Sequence, residues 1–514
     1  MTGSGDDPLP HEREAKVSVW PGFRVPDLHA FVPWVVTADP KEQVLDARYL
    51  DAEDLRLLRM GITFRHRTGE GDPDGRWTLK LPAPSEGVML DRLELEEPGP
   101  PGPPPAHLAG LVKGLLRGAA LVQVAHLQTH RTVVPITDQA ERPLGLLSDD
   151  VVSALDGDRV GLRFREIEVE AVAGAPDSVV TAVVDALRKA GAGEADHVPK
   201  LAKALGPRAL APGDPDVGPI GKDATTHAVF RGAVASAVRR LLVHDPVVRL
   251  DAGDEGVHQA RVATRRLRSD LRTFRPLLDT PDEPPALAPL LEELRWLGGL
   301  LGAVRDADVL GQRLSEVVRD LDDPDEEAAQ GLLDRLAAER APLLDELHGA
   351  LDSDRYVRLV QALVELALDP PPLDRAEEPA RSTMPELAAL PWDHLVHRVG
   401  RLDHKPADEE LHRVRILAKR ARYAAEAAAV VIPAAGRHAS AIADLQSVLG
   451  DHQDAVVAEA WLRRAVAEGA GGPESFAAGL LVTMEREQAA RYRKRWRSAW
   501  TDASGKKLTA WLAG

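Results

Sequence analysis

The chain has 514 residues, a formal net charge of −17 and no cysteine. That length allows two or more domains, each with its own core, and the missing thiols exclude disulfides, thiolate metal sites and a cysteine nucleophile. An acidic chain of this kind should not cling to nucleic acid, so a dense basic stretch inside it points to a local, shaped site for a small polyanion. Residues Met1 to His11 are polar and no long apolar run follows. Neither a signal peptide nor a membrane span is expected, and the expected address is the cytoplasm.

From Val17 to about Val172 the pattern is of short alternating runs broken by turns, among them Val17–Trp20, Ile62–Arg67, Arg76–Lys80, Leu121–Leu127 and Val160–Arg165. Many short strands with turn signals between them predict a β-barrel or sandwich. Asp54 to Met60 reads as a short helix, Pro98 to Pro105 as a loop, and Val179–Ala190 and His197–Leu205 as helices.

The strands carry an unusual load of charge. In Glu12-Arg-Glu-Ala-Lys16 the residues Glu12, Glu14 and Lys16 share one face, because strand side chains alternate with period two. Arg65 and Arg67 share a face by the same rule, as do Glu166, Glu168 and Glu170. Charged residues normally avoid the inside of a small barrel. They fit there if the barrel holds a charged ligand with metal, since carboxylates are hard oxygen donors for Mg²⁺ or Mn²⁺ and Arg and Lys neutralise phosphate oxygens. Alone, Glu-x-Glu-x-Lys is a weak signal that an amphipathic edge strand also shows.

The order of the remaining pieces is more specific. Asp51-Ala-Glu-Asp-Leu-Arg-Leu-Leu-Arg-Met-Gly-Ile-Thr-Phe-Arg-His-Arg67 is followed by Trp77-Thr-Leu-Lys80-Leu-Pro82 and then by the Glu-x-Glu-x-Glu strand. Together with Glu12–Lys16 these resemble the CYTH family, the triphosphate tunnel metalloenzymes, across about the first 205 residues. The resemblance implies an eight-stranded antiparallel tunnel that binds triphosphate with divalent metal. It implies Glu12, Glu14 and Lys16 as the catalytic opening strand and Glu12, Glu14, Glu168 and Glu170 as metal ligands, with Glu166 less well matched. Lys16, Arg65, Arg67, Lys80 and Arg131 are the implied triphosphate contacts. Either Asp149 or Asp150 matches an acidic position before the last strand. One departure stands out: around Gln128-Thr-His-Arg131 a second Lys or Arg is expected, and Gln128 and His130 are found.

Gly206 to Gly221, rich in Pro, Gly and Asp, is the expected linker. From there the chain reads as helical to its end, apart from an interruption at Pro370 to Pro391. Val257–Phe274 holds no Gly or Pro and should be helical. At about 100° per residue, His258, Arg261, Arg265, Arg268 and Arg272 form one stripe, with Ala260, Leu267, Leu271 and Phe274 nearly opposite. The stripe runs roughly 21 Å at about 1.5 Å per residue. Arginines stacked three and four apart repel one another, so something anionic is expected along them. The pattern recurs in Leu411–Glu426, where His412, Arg415, Lys419 and Arg422 take the offsets of His258, Arg261, Arg265 and Arg268. Each copy is followed by a Leu-Gly-x-x-x-Asp segment, Leu301–Asp306 and Leu449–Asp454, which argues for duplication of one helical unit.

These residues resemble the CHAD family, the histidine-containing α-helical domain, over about the last 290 residues. The resemblance implies a bundle of two pseudo-symmetric halves whose basic cavity binds inorganic polyphosphate. It implies His258, Arg261, Arg265, Arg266, Arg268, Arg272, Arg305, His412, Arg415, Lys419, Arg420 and Arg422 as contacts. Asp306 and Asp308 read as structural partners of basic side chains rather than as metal ligands. His394, His397 and His404 lack a spaced fourth donor and read as exposed histidines. Trp496 and Trp500, in a basic segment, read as packing residues.

The expected fold class is therefore multidomain α+β. An antiparallel eight-stranded β-tunnel barrel spans 1–205, a linker 206–221, and an all-α bundle 222–514 with halves at about 222–370 and 391–514. The expected function is metal-dependent hydrolysis of a phosphoanhydride, with inorganic triphosphate the first choice of substrate and a nucleoside triphosphate the second. Polyphosphate is the expected partner of the bundle, by which the enzyme could sit on polyphosphate granules. A membrane is not an expected partner and nucleic acid is disfavoured. Three other readings stay open: a binding and targeting module without turnover, a nucleotide cyclase forming cyclic AMP, and a helical scaffold that binds no polyanion.

Overall fold

The computed structural model describes residues 11–83, 89–278, 287–469 and 471–513. Nearly all of the polar N-terminal stretch, residues 1–10, lies outside the described residues. The chain forms two compact units, Met1–Asp214 and Pro215–Gly514.

The first unit runs β1 (His11–Ser18), α1 (Leu28–Phe31), β2 (Val35–Thr37), β3 (Lys41–Asp51), α2 (Arg56–Arg59), β4 (Thr63–Thr68), β5 (Arg76–Pro82), β6 (Leu90–Pro98), α3 (Ala106–Leu111), α4 (Lys113–Leu116), β7 (Val122–Asp138), β8 (Pro143–Asp156), β9 (Arg159–Ala171), α5 (Ser178–Lys189) and α6 (Lys200–Leu205). The strand order is β2-β7-β3-β4-β5-β6-β1-β9-β8, and β7 also pairs with β8. Eight antiparallel strands thus close into a barrel, with the short β2 attached to β7. Closure leaves no free edge among those eight strands.

The barrel is charged inside and apolar outside. Ala15 and Val17 of β1 and Ile167 and Val169 of β9 point outward and pack against Val180, Val183, Val184 and Leu187 of α5. The intervening residues, Glu14, Lys16, Glu166 and Glu168, are buried polar groups of the interior. The period-two alternation therefore puts the hydrophobic core between barrel wall and helix. Toward one end of the barrel, Leu201 and Ala202 of α6 join Ala47, Tyr49, Leu127 and Val152 in a second apolar cluster. The expected linker begins inside this packing: Gly206–Leu210 forms a 3-10 turn and Ala209 is buried in that cluster.

The link from β3 to β4 is set by one side chain. The buried Asp51 carboxylate accepts hydrogen bonds from the backbone N–H groups of Ala52 (2.7 Å), Leu57 (3.0 Å) and Leu58 (2.9 Å). It closes a turn in which Leu55 adopts a left-handed φ of 61°, and so fixes the start of the strand that carries Arg65 and Arg67.

The second unit contains α7 (Thr226–Leu250), α8 (Glu255–Phe274), α9 (Ala288–Val318), α10 (Asp323–Leu351), α11 (Asp354–Leu368), α12 (Ala380–Gly400), α13 (Asp408–Ala429), α14 (Pro433–Ala467), α15 (Gly472–Ala503) and the short α16 (Lys506–Thr509). The order and lengths of α7–α10 are matched by α12–α15. The expected break at Pro370 to Pro391 is too long. Helix is lost only between α11 and α12, and Pro385 and Pro391 lie inside α12. Interior proline costs a helix about 3 kcal/mol, but Pro385 is itself buried and Trp392 and Leu395 anchor this helix in a core with Leu411, Val414, Ile442 and Trp496. Tertiary packing overrides local propensity here. Trp496 is buried and Trp500 stacks on Trp392 with ring centroids 5.5 Å apart, so both are packing residues. No helix among the described residues is long and apolar enough to cross a membrane.

Replacing Asp51 by Ala strands three buried backbone donors. At about 1–3 kcal/mol for each unmade hydrogen bond, we expect Asp51→Ala to destabilise the barrel by at least about 3 kcal/mol. Its denaturant midpoint in chemical unfolding, compared with that of the parent chain, measures this.

Candidate functional site

The barrel interior encloses a cavity of about 390 Å³ lined by eight basic and seven acidic side chains. Period-two alternation aims them inward: Glu12, Glu14 and Lys16 from β1, Arg65 and Arg67 from β4, Lys80 from β5, Arg131 from β7, and Glu168 and Glu170 from β9. All these sequence-predicted residues therefore share one chamber. Further residues in it were not anticipated, among them Tyr49 on β3, Arg92 and Glu94 on β6, and Lys200 at the start of α6.

Ion pairs divide the chamber into parts. Lys16 bridges Glu14 (3.0 Å) and Glu168 (2.8 Å). Burial alone would lower the Lys16 pKa, but Glu14 and Glu168 outweigh it and hold the ammonium well above its ordinary range. Glu168 also meets Arg131 (2.8 Å) and Lys200 (2.7 Å). Burial opposes its ionisation, yet Lys16, Lys200 and Arg131 keep it well below the usual carboxylate range. Of the two candidate aspartates, Asp150 is the inward one. It is fully buried and receives two hydrogen bonds from Arg131 (2.8 and 2.7 Å), with Lys200 at 2.8 Å. Asp149 instead pairs with Arg165 at 2.6 Å. Glu166 is tied to Lys203 (2.7 Å) and Lys200 (3.2 Å).

The departure at Gln128 and His130 has a structural explanation. His130 is exposed, and it lines a separate surface pocket with Asp149 and Arg165. The inward neighbour of Arg131 along β7, at the chamber wall, is Val133. The additional cation comes from outside the strands, as Lys200. The available signal was the Lys200-Leu-Ala-Lys203 pair, whose two cations sit three apart on a predicted helix.

Two regions remain imperfectly compensated. The Glu170 side chain makes no hydrogen bond or ion pair among the described residues, and burial and then Glu12 push its carboxyl up to about 7, with Glu14 and Glu94 adding to the shift. On β4, Arg65 donates to the Tyr49 hydroxyl at 3.2 Å and Arg67 pairs with Glu70. Burial, then the neighbouring Arg65, lowers the Arg67 pKa. Negative charge thus gathers at Glu12, Glu14, Glu94 and Glu170, with only Lys16 and Lys80 paired among them, and Arg67 is the less compensated of the two β4 arginines, since Arg65 lies 4.0 Å from Glu94. Among the described residues no three His, Asp or Glu side chains stand as a formed metal cage. In chemistry Glu12, Glu14 and Glu170 nevertheless fit a hard dication, being crowded oxygen donors of like charge. Glu168, already held by three cations, is the least free of the four expected ligands.

The second unit holds a different site. The stripes of α8 and α13 face each other: Arg265 donates to the Tyr423 hydroxyl at 2.8 Å, and the charges acting on Lys419 include Arg415 from its own helix and Arg265 and Arg261 from α8. The matched Leu-Gly-x-x-x-Asp segments hold the arginines. A Cβ on Gly302 would lie 3.8 Å from the Arg261 guanidinium, and one on Gly450 would lie 3.6 Å from that of Arg415. Four residues later, Asp306 pairs with Arg261 at 3.0 Å and Asp454 meets Arg415 at 4.0 Å. Asp308 likewise pairs with Arg340 at 2.6 Å, so both aspartates support cations. Burial, followed by Arg415, Arg265 and Arg261, lowers the Lys419 ammonium to about 7 against the weaker pull of Asp454. The Lys419 side chain makes no hydrogen bond or ion pair among the described residues.

The rest of the expected contacts fall into three groups. Arg268, Arg272 and Arg420 cluster with Arg295, and burial and then neighbouring arginines lower the pKa of Arg268 and of Arg272. At the other end, Arg305 pairs with Asp254. Burial followed by Arg305 lowers the pKa of His258 there. His412 shares a 3.1 Å hydrogen bond with Gln453. Arg266 turns off the stripe to Asp270 (3.0 Å) and Glu426. Arg422 is held by Glu426 (2.7 Å) and Gln446 (3.2 Å). These two line a separate cavity of about 730 Å³. His394, His397 and His404 are exposed.

A family model for the CHAD domain matches residues 232–463, a span that includes both stripes. The uncharacterized protein Rv2226 of Mycobacterium tuberculosis is 33% identical over 514 residues, covering 95% of this chain and 95% of its own length. Among solved structures, the CHAD domain from the plant Ricinus communis is 26% identical, with 56% of this chain and 96% of that one covered and a TM-score of 0.46. PptA from Streptomyces chartreusis is 23% identical, with 54% of this chain and 100% of that one covered and a TM-score of 0.45.

The position of Lys419 makes a stability prediction. Its pKa is about 7 when folded and about 10.4 when unfolded. Folding thus works against the charged form. The cost is fully present below pH ~7 and fades as pH rises towards ~10.4. We expect Lys419→Met to raise the thermal midpoint of the second unit near pH 6 and to lose that advantage near pH 10. Calorimetry at the two pH values measures it.

Proposed function

The chain belongs to the CHAD domain family, and on that footing we propose that it handles condensed phosphate at two sites: a tunnel that hydrolyses a phosphoanhydride and a bundle that binds polyphosphate. The observation that carries the first part is the split polarity of the tunnel, with four carboxylates, Glu12, Glu14, Glu94 and Glu170, gathered around Lys16 and Lys80 so that Glu170 is left unpaired, and with Arg65 and Arg67 side by side on β4, where Arg67 is destabilised by its neighbour. A short chain of phosphates bound with a dication has the complementary distribution of charge. Inorganic triphosphate fits first, and a nucleoside triphosphate second.

In this reading Glu12, Glu14 and Glu170 would hold Mg²⁺ or Mn²⁺, which when bound polarises a phosphoryl oxygen. Arg65, Arg67 and Arg131 receive phosphate oxygens and offset the charge that develops on them in the transition state. Lys80 is held by Glu12 and Glu94 (3.2 Å), so its engagement with phosphate requires it to leave those carboxylates. Lys16 and Lys200 keep Glu168 ionised and in place, which makes them positioning residues as much as phosphate contacts.

For the bundle, the carrying observation is the meeting of Arg261, Arg265, Arg415 and Lys419 with too few carboxylates between them. A polyanion along the two stripes would relieve their repulsion. Association with polyphosphate granules would follow from the same contact.

Two experiments test the parts separately. With Mg²⁺ or Mn²⁺ and triphosphate, we expect phosphate release that Glu12→Gln plus Glu14→Gln abolishes while the circular dichroism stays unchanged. Arg65→Ala should weaken triphosphate binding more than metal binding. Cyclic AMP from ATP would instead favour a cyclase, and full activity in the double mutant would remove the metal assignment.

For the bundle we expect polyphosphate affinity to fall steeply with salt, because each neutralised cation releases counterions. Arg261→Ala, Arg265→Ala and Arg268→Ala combined should weaken binding and flatten that slope. A bound polyanion favours the Lys419 ammonium, so binding above pH ~7 takes up a proton. Affinity should then fall by up to about tenfold per pH unit as pH rises from ~7. Titration calorimetry in buffers of different ionisation enthalpy reads the proton uptake directly.

A further inference from the structure

Besides Glu94 and Glu96, strand β6 sends a third residue into the chamber, and it is a cation. Arg92 is 6% exposed and stands in register with Glu12 of β1. Glu12 is nonetheless taken by Lys80, as is Glu94 at 3.2 Å, and the Arg92 side chain makes no hydrogen bond or ion pair among the described residues. A charge buried in this way calls for an anion from elsewhere. Arg92 also lines a second cavity, of about 370 Å³. Arg92 and Pro199 belong to the walls of both cavities, so the two adjoin there.

The side cavity has apolar walls, among them Leu58, Pro82 and Leu90, and Arg59 and His197 join Arg92 as its basic groups. The carboxylate in its lining, Asp91, is engaged by His11 at 2.7 Å. Arg59 reaches a backbone carbonyl, that of Arg208 at 3.3 Å, and its Nε is buried without a hydrogen-bond partner. A Cβ on Gly213 would stand 2.6 Å from the Arg59 carbonyl oxygen. The last segment of the first unit therefore presses on this end of α2 and fixes where the Arg59 side chain starts. Neither guanidinium meets a carboxylate among the described residues.

We propose that Arg59 and Arg92 form a second phosphate subsite of the first unit, outside the chamber and adjoining it. This deepens the reading of the chamber as a phosphate site and rests on it for the source of the ligand. Guanidiniums donate to phosphate oxygens in pairs, and an apolar surround strengthens such contacts because charges interact more strongly where water is excluded. Two sources share this chemistry. One is orthophosphate released by hydrolysis in the chamber. The other is the fourth phosphate of a chain longer than triphosphate, whose first three lie in the chamber.

The test titrates the full-length protein by calorimetry with orthophosphate, and with triphosphate and tetraphosphate in the presence of Mg²⁺. The parent chain is compared with Arg59→Met, Arg92→Met and Arg65→Ala, and binding to the second unit is common to all four. Arg59→Met and Arg92→Met should each weaken orthophosphate or tetraphosphate binding roughly tenfold or more, since hydrogen bonds to charged groups are the strong ones. Arg59→Met should leave triphosphate affinity unchanged. An unpaired buried charge costs stability, so the thermal midpoint of Arg92→Met should match or exceed that of the parent, whereas loss of a structural arginine would lower it. Weakened orthophosphate binding alone identifies released product, and weakened tetraphosphate binding alone identifies a longer chain. If both affinities hold in both variants, the subsite is overturned. Arg65→Ala reads the chamber separately: where it weakens triphosphate binding, the chamber reading stands whatever Arg59 does. If the parent binds no triphosphate, the chamber reading falls, and the orthophosphate titration still decides the subsite.

Discussion

A cation taken out of water must meet an anion or give up its proton, and the two units meet that constraint in opposite ways. In the barrel, buried Lys16, Arg131 and Lys200 converge on the single carboxylate Glu168, with Asp150 and Glu166 behind it. Compensation there is dense enough that Lys16 and Arg131 hold their protons more tightly than usual despite burial. In the bundle the carboxylates are fewer and farther away. Arg261 and Arg415 each have one aspartate, Lys419 has none in contact, and it is the group that approaches neutrality. A ligand site needs this second condition. Charge already balanced by the protein has little left to offer a ligand, and Glu170 and Arg67 are less balanced than the tighter pairs beside them.

The duplication explains how the bundle tolerates its unbalanced charge. The guanidiniums of Arg261 and Arg415 pass beside Gly302 and Gly450, at ordinary contact distance from where a Cβ would stand. The aspartates four residues further along, one helical turn away, reach the same guanidiniums. Each half thus anchors one arginine with the same three-part device. The halves differ where the stripes meet. Arg265 faces Lys419's side of the crossing, and the position equivalent to Ser269 is Tyr423, whose ring lies within 6 Å of the guanidiniums of Arg265, Arg266 and Arg422. Symmetry supplies the frame, and at its centre the second half carries Lys419 where the first carries Arg265.

Much of this was legible in the residues. The alternation of Glu12, Glu14 and Lys16 and of Glu166, Glu168 and Glu170 reads as an inward face because a strand's period is fixed. The helical stripes read for the same reason. Pairing across elements did not read. Asp149 and Asp150 are adjacent, and only the register of β8 against β7, which sets Arg131 opposite Asp150, chooses between them. Lys200 arrives from a helix that follows the barrel strands, and nothing local aims it inward. Arg266 sits beside Arg265 in sequence, but one position is about 100° around a helix, and Asp270 a turn later draws it to the reverse face. Pro385 and Pro391 looked like breakers because their propensity is local, while the core that overrides it comes from three other helices and later sequence.

The inversion of the barrel has a further consequence for how stability and chemistry are coupled. Its apolar contacts with α5 lie outside the wall, so a substitution such as a glutamine for Glu12 or Glu14 changes the charge of the chamber without touching that core. The two properties are close to separable there. In the bundle they are opposed: the arrangement that makes Lys419 hungry for an anion is the same one that penalises the empty fold. A polyanion bound there, as proposed, would act on stability as well as occupancy, since binding to the folded state alone adds RT ln(1 + [L]/Kd) to its free energy of unfolding. If the second unit binds a polyanion as proposed, it should be at its most stable when loaded, because the charge that weakens the empty fold is the charge that would meet the ligand.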